Sequence, residues 1–410
     1  MHPRRSLRRP LPFLLLPALS FGCFEEEPIA GMLPDAGLDA STPDASNSDP
    51  ADAGAGPIAC DAAHPCAGDA VCAPEGVCAP RCDADAGCWI ASTSRQILEL
   101  VVDGETLYFL TAPSHDQLGN ALGDGKIWRL PAEGPAEVLL NDLGAPQHLV
   151  DTGDHLMWHG GGKLRRAAKA APSIVEPLYA TGCGFALPLQ DSKLAVQAPG
   201  GLFVGSADGT APLVKVSDAA DFDGETDDAQ LDQCVRLHLA DQTVFRARPV
   251  PRTEPGSPYH QAIVGVDLRT NAETTYAART YGEDPVFAVV PPYFYEVQNM
   301  YFNVYRAELT GDRQNVVTVV RIDDGFNARA QLKGPWVYVA APHFSPSKVV
   351  SLVRNSLAPP VQIQPLVPEG SFTMPTGGFI TALAVSDRAM FIAIVTPAQS
   401  WVYRQPLPAN

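Results

Sequence analysis

From Trp89 to the C-terminus one pattern recurs seven times: an alternating apolar stretch, a short polar turn, and an aromatic-rich apolar stretch. The seven copies are LELVVDGETLYFL, HLVDTGDHLMWH, ALPLQDSKLAVQ, RLHLADQTVFRA, VFAVVPPYFYEV, AQLKGPWVYVAA and ALAVSDRAMFIAIV. Alternation of period two specifies strands with one buried face, and no stretch carries the 3.6-residue period of an amphipathic helix. Most copies continue into a third strand, as in KIWRLPAEGP or NVYRAELTGD, and then a short fourth such as AEVLLN or NVVTVV. A four-stranded unit of this size cannot bury its own apolar faces, so it must stack against its neighbours.

Four strands repeating about every 46 residues resemble the blades of a β-propeller. The expected fold is therefore all-β, a seven-bladed β-propeller over residues 89–410. The seventh unit ends after its third strand, WVYRQPL, while an orphan strand, WIAST, precedes the first. Pairing the two would close the ring and remove two exposed edges at once. Neither the Trp-Asp nor the Tyr-Trp-Thr-Asp signature of two propeller families is present, so the resemblance is to the architecture. An insert separates the third and fourth units, which leaves six or eight blades as alternatives.

Residues 1–22 carry four arginines and then a short apolar run, LPFLLLPALSF, as an export signal does. That run is too short to span a bilayer. Gly22-Cys23 resembles the lipobox of bacterial lipoproteins, with Leu19 four residues before the cysteine instead of the usual three. The resemblance implies a diacylated Cys23 as the mature N-terminus. Phe24 in place of aspartate implies an outer-membrane lipoprotein, on the periplasmic side or at the cell surface. Ordinary signal-peptidase cleavage is the alternative. Residues 23–59 are rich in Asp, Glu, Ala, Pro and Ser and have no basic residue. Such a segment cannot offset its chain entropy by burial, so a disordered acidic linker is expected, reaching about 30 Å.

Nine cysteines divide by position. Cys60, Cys66, Cys72, Cys78, Cys82 and Cys88 cluster in residues 60–88, Cys183 and Cys234 stand apart, and Cys23 is left for the lipid. In an exported chain the cluster implies a disulfide-rich module of three bridges, with fifteen pairings open. Zinc is the rival reading, but no CxxC pair occurs and only His64 is near. The segment loosely resembles small modules of the epidermal-growth-factor kind. A bridge between Cys183 and Cys234 is expected because both enter the first strands of adjacent blades.

Motifs for chemistry mostly resolve into turns. His159-Gly160-Gly161-Gly162 resembles an esterase oxyanion loop, but the chain has no GxSxG nucleophile elbow, and the repeat alignment puts the glycines in a hairpin. His155 and His159 share one strand face without a local carboxylate or cysteine partner. No catalytic residue is assigned. The segment 218–232 packs six aspartates and a glutamate around Gly224, and Asp221 and Asp223 resemble the middle of a calcium loop. Ala219 and Gln230 stand at the first and twelfth ligand positions, so a solvated acidic loop is the better reading and no cofactor is expected; a loose calcium site is the alternative.

The connections from each fourth strand to the next first strand meet on one face of a propeller. The repeat places there His148, Asp221, Asp223, Asp227, Asp228, Glu283, Asp284, Asp323, Asp324 and Arg329, an acidic candidate binding face. The formal charge of −17 disfavours nucleic acid and anionic lipid as partners. Two functions compete. One is a membrane-tethered extracytoplasmic binding module, a monomer, that captures a protein, a glycan or a cationic ligand. The other is a propeller-based hydrolase or lyase with paired carboxylates in its funnel.

Overall fold

The computed structural model describes Cys60, Cys66, residues 70–73 and 77–79, and residues 87–408 apart from 114–123, 182–184, 199, 219–236, 251–259, 282–285, 299–302, 310–316, 322–327, 344–348, 358–362 and 369–370. Every regular element among them is a strand. A hairpin of β1 (Val71–Cys72) and β2 (Cys78–Ala79) precedes seven four-stranded antiparallel sheets.

Each sheet is one blade, and its strands follow in chain order from the channel outward. Blade 1 is β4 (Ile97–Asp103), β5 (Thr106–Thr111), β6 (Lys126–Leu130) and β7 (Glu137–Leu140). Blade 2 is β8 (Gln147–Asp151), β9 (His155–Gly160), β10 (Lys163–Ala168) and β11 (Ala171–Ala180); blade 3 is β12 (Ala186–Pro188), β13 (Lys193–Ala198), β14 (Gly201–Ser206) and β15 (Val214–Asp218). Blade 4 is β16 (Leu237–Ala240), β17 (Thr243–Val250), β18 (His260–Asp267) and β19 (Glu273–Tyr281); blade 5 is β20 (Val286–Val290), β21 (Tyr293–Gln298), β22 (Asn303–Glu308) and β23 (Val317–Arg321). Blade 6 is β24 (Arg329–Lys333), β25 (Trp336–Pro342), β26 (Val350–Ser356) and β27 (Ile363–Pro365). Blade 7 is β28 (Phe379–Val385), β29 (Ala389–Val395), β30 (Ser400–Pro406) and, out of chain order, β3 (Cys88–Thr93). The chain is a seven-bladed β-propeller.

Closure runs through the expected strand. β3 pairs antiparallel with β30, placing Trp89 opposite Tyr403, Ser92 opposite Trp401 and Thr93 opposite Ser400. The N-terminal strand thus becomes the outer strand of the last blade. Second strands are covered on both faces, which is why β29 reads as an unbroken apolar run, AMFIAIV, with every residue buried. The core is divided into apolar clusters, one at each seam between blades.

The cysteine module packs on the closing seam. Cys60–Cys72 and Cys66–Cys78 are disulfides, and Cys88, which opens β3, is also disulfide-bonded. The indole N–H of Trp401 donates to the Cys72 carbonyl at 3.0 Å. Trp89 lies edge-on to Tyr403 at 5.2 Å between ring centroids. Cys60, Cys66 and Cys72 come close enough to resemble a metal cluster, but their sulfurs are committed to disulfides. Cys82, Cys183 and Cys234 lie outside the described residues.

A second repeat signature emerges from the register. In five blades the third residue of the second strand faces an arginine of the third strand: Tyr108 with Arg129, Met157 with Arg166, Tyr295 with Arg306, Tyr338 with Arg354, and Phe391 with Arg404. Cross-strand pairs of this kind stabilise a sheet; Arg166 and Arg306 also reach the following blade, while Arg129 and Arg354 bond within their own. Blades 3 and 4 break the pattern, with Ala195 facing Val204 and Phe245 facing Gly265.

Candidate functional site

The first strands of all seven blades surround a channel of about 580 Å³. Its polar lining is Glu99 on β4, His148 on β8, His238 on β16, Arg329 and Gln331 on β24, and Thr381 on β28. The rest of the wall is mostly apolar, as expected of strands whose side chains alternate between the channel and the seam clusters.

His148 is the unusual residue. It is a non-glycine with a positive φ of 58°, in a bulge where the register of β8 against β9 slips between Gln147 and Val150. A left-handed residue at a bulge costs energy and persists only where its surroundings hold it. Here Glu99 does so from the neighbouring blade. Its Oε1 accepts the His148 backbone N–H at 2.9 Å, and its Oε2 accepts the backbone N–H of Leu149. His148 Nδ1 lies 3.4 Å from Glu99 Oε1 without hydrogen-bond geometry. The imidazole rests on Phe185, with ring centroids 3.7 Å apart.

His159, close enough to His148 to feel its charge, is 6% exposed, and Thr181, just past the outer strand β11, is 2% exposed; His159 Nε2 and Thr181 Oγ1 find no hydrogen-bond partner among the described residues. Burial, with His148 adding to it, pushes the His159 imidazole below the usual histidine range. His159 is therefore neutral in the folded state at pH values where the unfolded chain has already taken up a proton. Stability contributed at this position should fall as pH drops below about 6.5 and continue falling to the depressed folded-state value. Denaturant titrations between pH 7 and pH 5 should show a shallower loss of stability in His159→Leu than in the parent.

On the opposite wall, Arg329 donates from Nε to the Thr381 carbonyl at 2.9 Å and from Nη1 to the Ala328 carbonyl at 3.2 Å, which hooks blade 6 onto blade 7. The structure thus brings His148 and Arg329, assigned from the repeat, to one channel. Asp221, Asp223, Asp227, Asp228, Glu283, Asp284, Asp323 and Asp324 lie outside the described residues, as does Cys23. Among the described lining residues Glu99 is the single carboxylate, so that part of the wall carries one acid, one guanidinium and two imidazoles. Sequence reasoning missed Glu99, Phe185, His238 and Thr381. The signal for Glu99 was an acid at an interior position of an apolar first strand. The glycines after His159 form the expected hairpin, with φ of 60° at Gly161 and 72° at Gly162 between β9 and β10.

No protein-family model and no curated relative match this chain. Solved structures do match it in shape. The β-propeller domain of the Trilobed protease from Pyrococcus furiosus, described as having an open velcro topology, superposes with a TM-score of 0.53 at 9% identity, over 76% of this chain and 96% of that one. Puromycin hydrolase gives 0.52 at 12% identity, over 75% of this chain and 51% of that one. BamB from Moraxella catarrhalis gives 0.42 at 13% identity, over 75% and 84%. At these identities the likeness is one of fold alone.

Proposed function

We propose that this chain is a membrane-tethered extracytoplasmic binding module, held at the outer membrane through a lipid on Cys23, whose partner engages the channel mouth. The observation that carries the reading is the occupation of Glu99. Both of its oxygens hold backbone N–H groups, so the carboxylate is built into the wall as a brace for His148. Acid–base hydrolysis of a glycosidic bond needs two carboxyl groups about 5 to 10 Å apart, and the described wall supplies one that is already engaged. What the wall offers instead is an imidazole face, a phenyl ring and a guanidinium around a cavity large enough for a side chain or a sugar. The repeat assigns Asp221, Asp223, Asp227, Asp228, Glu283, Asp284, Asp323 and Asp324 to the connections that follow blades 3, 4 and 5. They favour a protein, a glycan or another ligand bearing positive charge, and Asp221 and Asp223 would accept calcium.

A thermal-shift screen of polyamines, cationic peptides, soluble glycans and calcium should identify compounds that raise the melting temperature of the parent but not of Glu99→Ala, which releases the His148 bulge. Turnover of chromogenic glycosides or esters that disappears in Glu99→Gln would overturn the reading in favour of a hydrolase.

A further inference from the structure

The broken signature in blade 3 coincides with a cavity of about 620 Å³ between blades 3 and 4. Its walls are Val204, Val214 and Val216 of blade 3 and Leu239 and Leu268 of blade 4. It opens at the turns between first and second strands and between third and fourth strands, the end of the ring opposite the channel mouth. There the Gln242 amide N–H donates to Gln190 Oε1 at 3.2 Å across the seam.

Blades 2 and 5 show how this position can be filled. Arg166 of blade 2 reaches the following blade and donates from Nη1 to the Ala207 carbonyl at 3.0 Å. Arg306 of blade 5 does the same to the Leu357 carbonyl at 3.2 Å. Ala207 and Leu357 are the corner residues just after their third strands, and their backbone N–H groups bond to Ser192 and Pro335 carbonyls of the inner hairpin in the same way. The matching corner in blade 4 is Leu268, whose N–H donates to the Gln242 carbonyl. Leu268 lines the cavity. The residue that should reach it from blade 3 is Val204, and the residue opposite Val204 is Ala195 in place of an aromatic or methionine.

Blade 4 also lacks its arginine, yet that space is filled. A Cβ on Gly265 would meet the Phe245 ring at 3.0 Å and the Tyr276 ring at 3.1 Å. Between blades 7 and 1, where Phe391 and Arg404 keep the pair, the recess is smaller, about 450 Å³, and Arg404 itself stands in it. Only at the seam of blades 3 and 4, among the described residues, is the pair truncated without replacement.

We infer that this seam is a binding site for a small amphipathic cation, an apolar body carrying a primary amine or guanidinium. The apolar body takes the place of the missing aromatic–arginine pair against Val204, Val216 and Leu268. The cationic head takes the position that Arg166 and Arg306 occupy at other seams. At the opening Asp191 and Asp241 are balanced by Lys193 and Arg269, so the sign follows from the corner: Leu268 is the counterpart of Ala207 and Leu357, whose carbonyls accept from Arg166 and Arg306, and the net negative charge of the chain acts in the same direction. Cavities of this size, mostly apolar with a few polar groups, are the usual form of small-molecule sites.

Dansylcadaverine, a fluorescent aryl group on a five-carbon primary amine, is the probe, and its N-acetylated form is the uncharged control. The purified chain should bind the amine with enhanced, blue-shifted fluorescence and bind the acetylated form about tenfold more weakly. Restoring the pair with A195Y and V204R together should abolish binding. Val214→Trp, at a position 59% exposed on the cavity wall, should also block it without disturbing the core, which keeps the test valid if the double variant misfolds. Glu99→Ala, at the channel, should bind the probe like the parent, so failure here is separable from failure of the channel reading. Absence of binding, equal binding of the acetylated form, or unchanged binding in Val214→Trp would each overturn the inference.

Discussion

Deleting residues 89–93 is expected to lower the melting temperature by about 10 °C or more, whereas deleting residues 24–55 should leave it unchanged. The first deletion removes the outer strand of blade 7. It takes away the backbone pairing of Trp89, Ala91, Ser92 and Thr93 with Tyr403, Val402, Trp401 and Ser400, each hydrogen bond worth about 1 kcal/mol net. It also strips Ile90 and Ala91, both buried, from the cluster that joins blades 7 and 1. A buried isoleucine alone contributes about 1.5–3 kcal/mol. The Trp89 ring that packs against Phe372, Trp401 and Tyr403 is lost as well. What remains is a propeller with β30 as a bare, apolar edge, so opening and edge-to-edge association should accompany the drop. Differential scanning calorimetry and size-exclusion chromatography of the two deletions decide the point. Equal melting temperatures would mean that β3 is not the closing strand of the folded protein in solution.

That closure was legible because two independent signals agreed: a last repeat one strand short and an unpaired apolar strand ahead of the first. The hairpin at Gly161 and Gly162 was legible for a similar reason, since the repeat assigned a tight turn to the place where glycines stood. The channel wall was much less so. His148 could be placed at the mouth from repeat position, but nothing local marks it as left-handed, because its bulge is imposed by Glu99, 49 residues earlier in the chain. The pairing of a carboxylate with two backbone amides on the next blade is a tertiary fact with no sequence period. The arginine signature lies between these cases. Trp128-Arg129, Tyr305-Arg306 and Tyr403-Arg404 are visible in the third strands, yet their meaning depends on which second-strand residue lies across the ladder. Only the register shows that Ala195 and Val204 are the truncated version of that pair.

Arg246→Ala is expected to cost about 3–5 kcal/mol, the largest single-residue effect in the ring. Arg246 is on the second strand of blade 4, is 1% exposed, and points across the seam into blade 3. Its Nη1 donates to Gln197 Oε1 at 3.1 Å and its Nη2 to Ser217 Oγ at 2.8 Å and to the Asp218 carbonyl. Ser217 in turn donates its hydroxyl proton to Glu273, whose carboxylate lies 3.9 Å from the guanidinium. Removing the arginine withdraws its donors from Gln197, itself 1% exposed, and from the Asp218 carbonyl at a buried point of the seam. It also frees the end of β15, from which the acidic segment 219–236 departs. Arg246→Met keeps the volume of the stem and should recover part of the loss by packing alone. Glu273→Gln should cost much less, because Glu273 is 30% exposed on its side chain and the amide oxygen still accepts from Ser217. Chemical denaturation of the three variants should rank them Ala, Met and Gln in decreasing cost. An Arg246→Ala loss no larger than that of Glu273→Gln would mean that solvent reaches this seam and satisfies Gln197 directly.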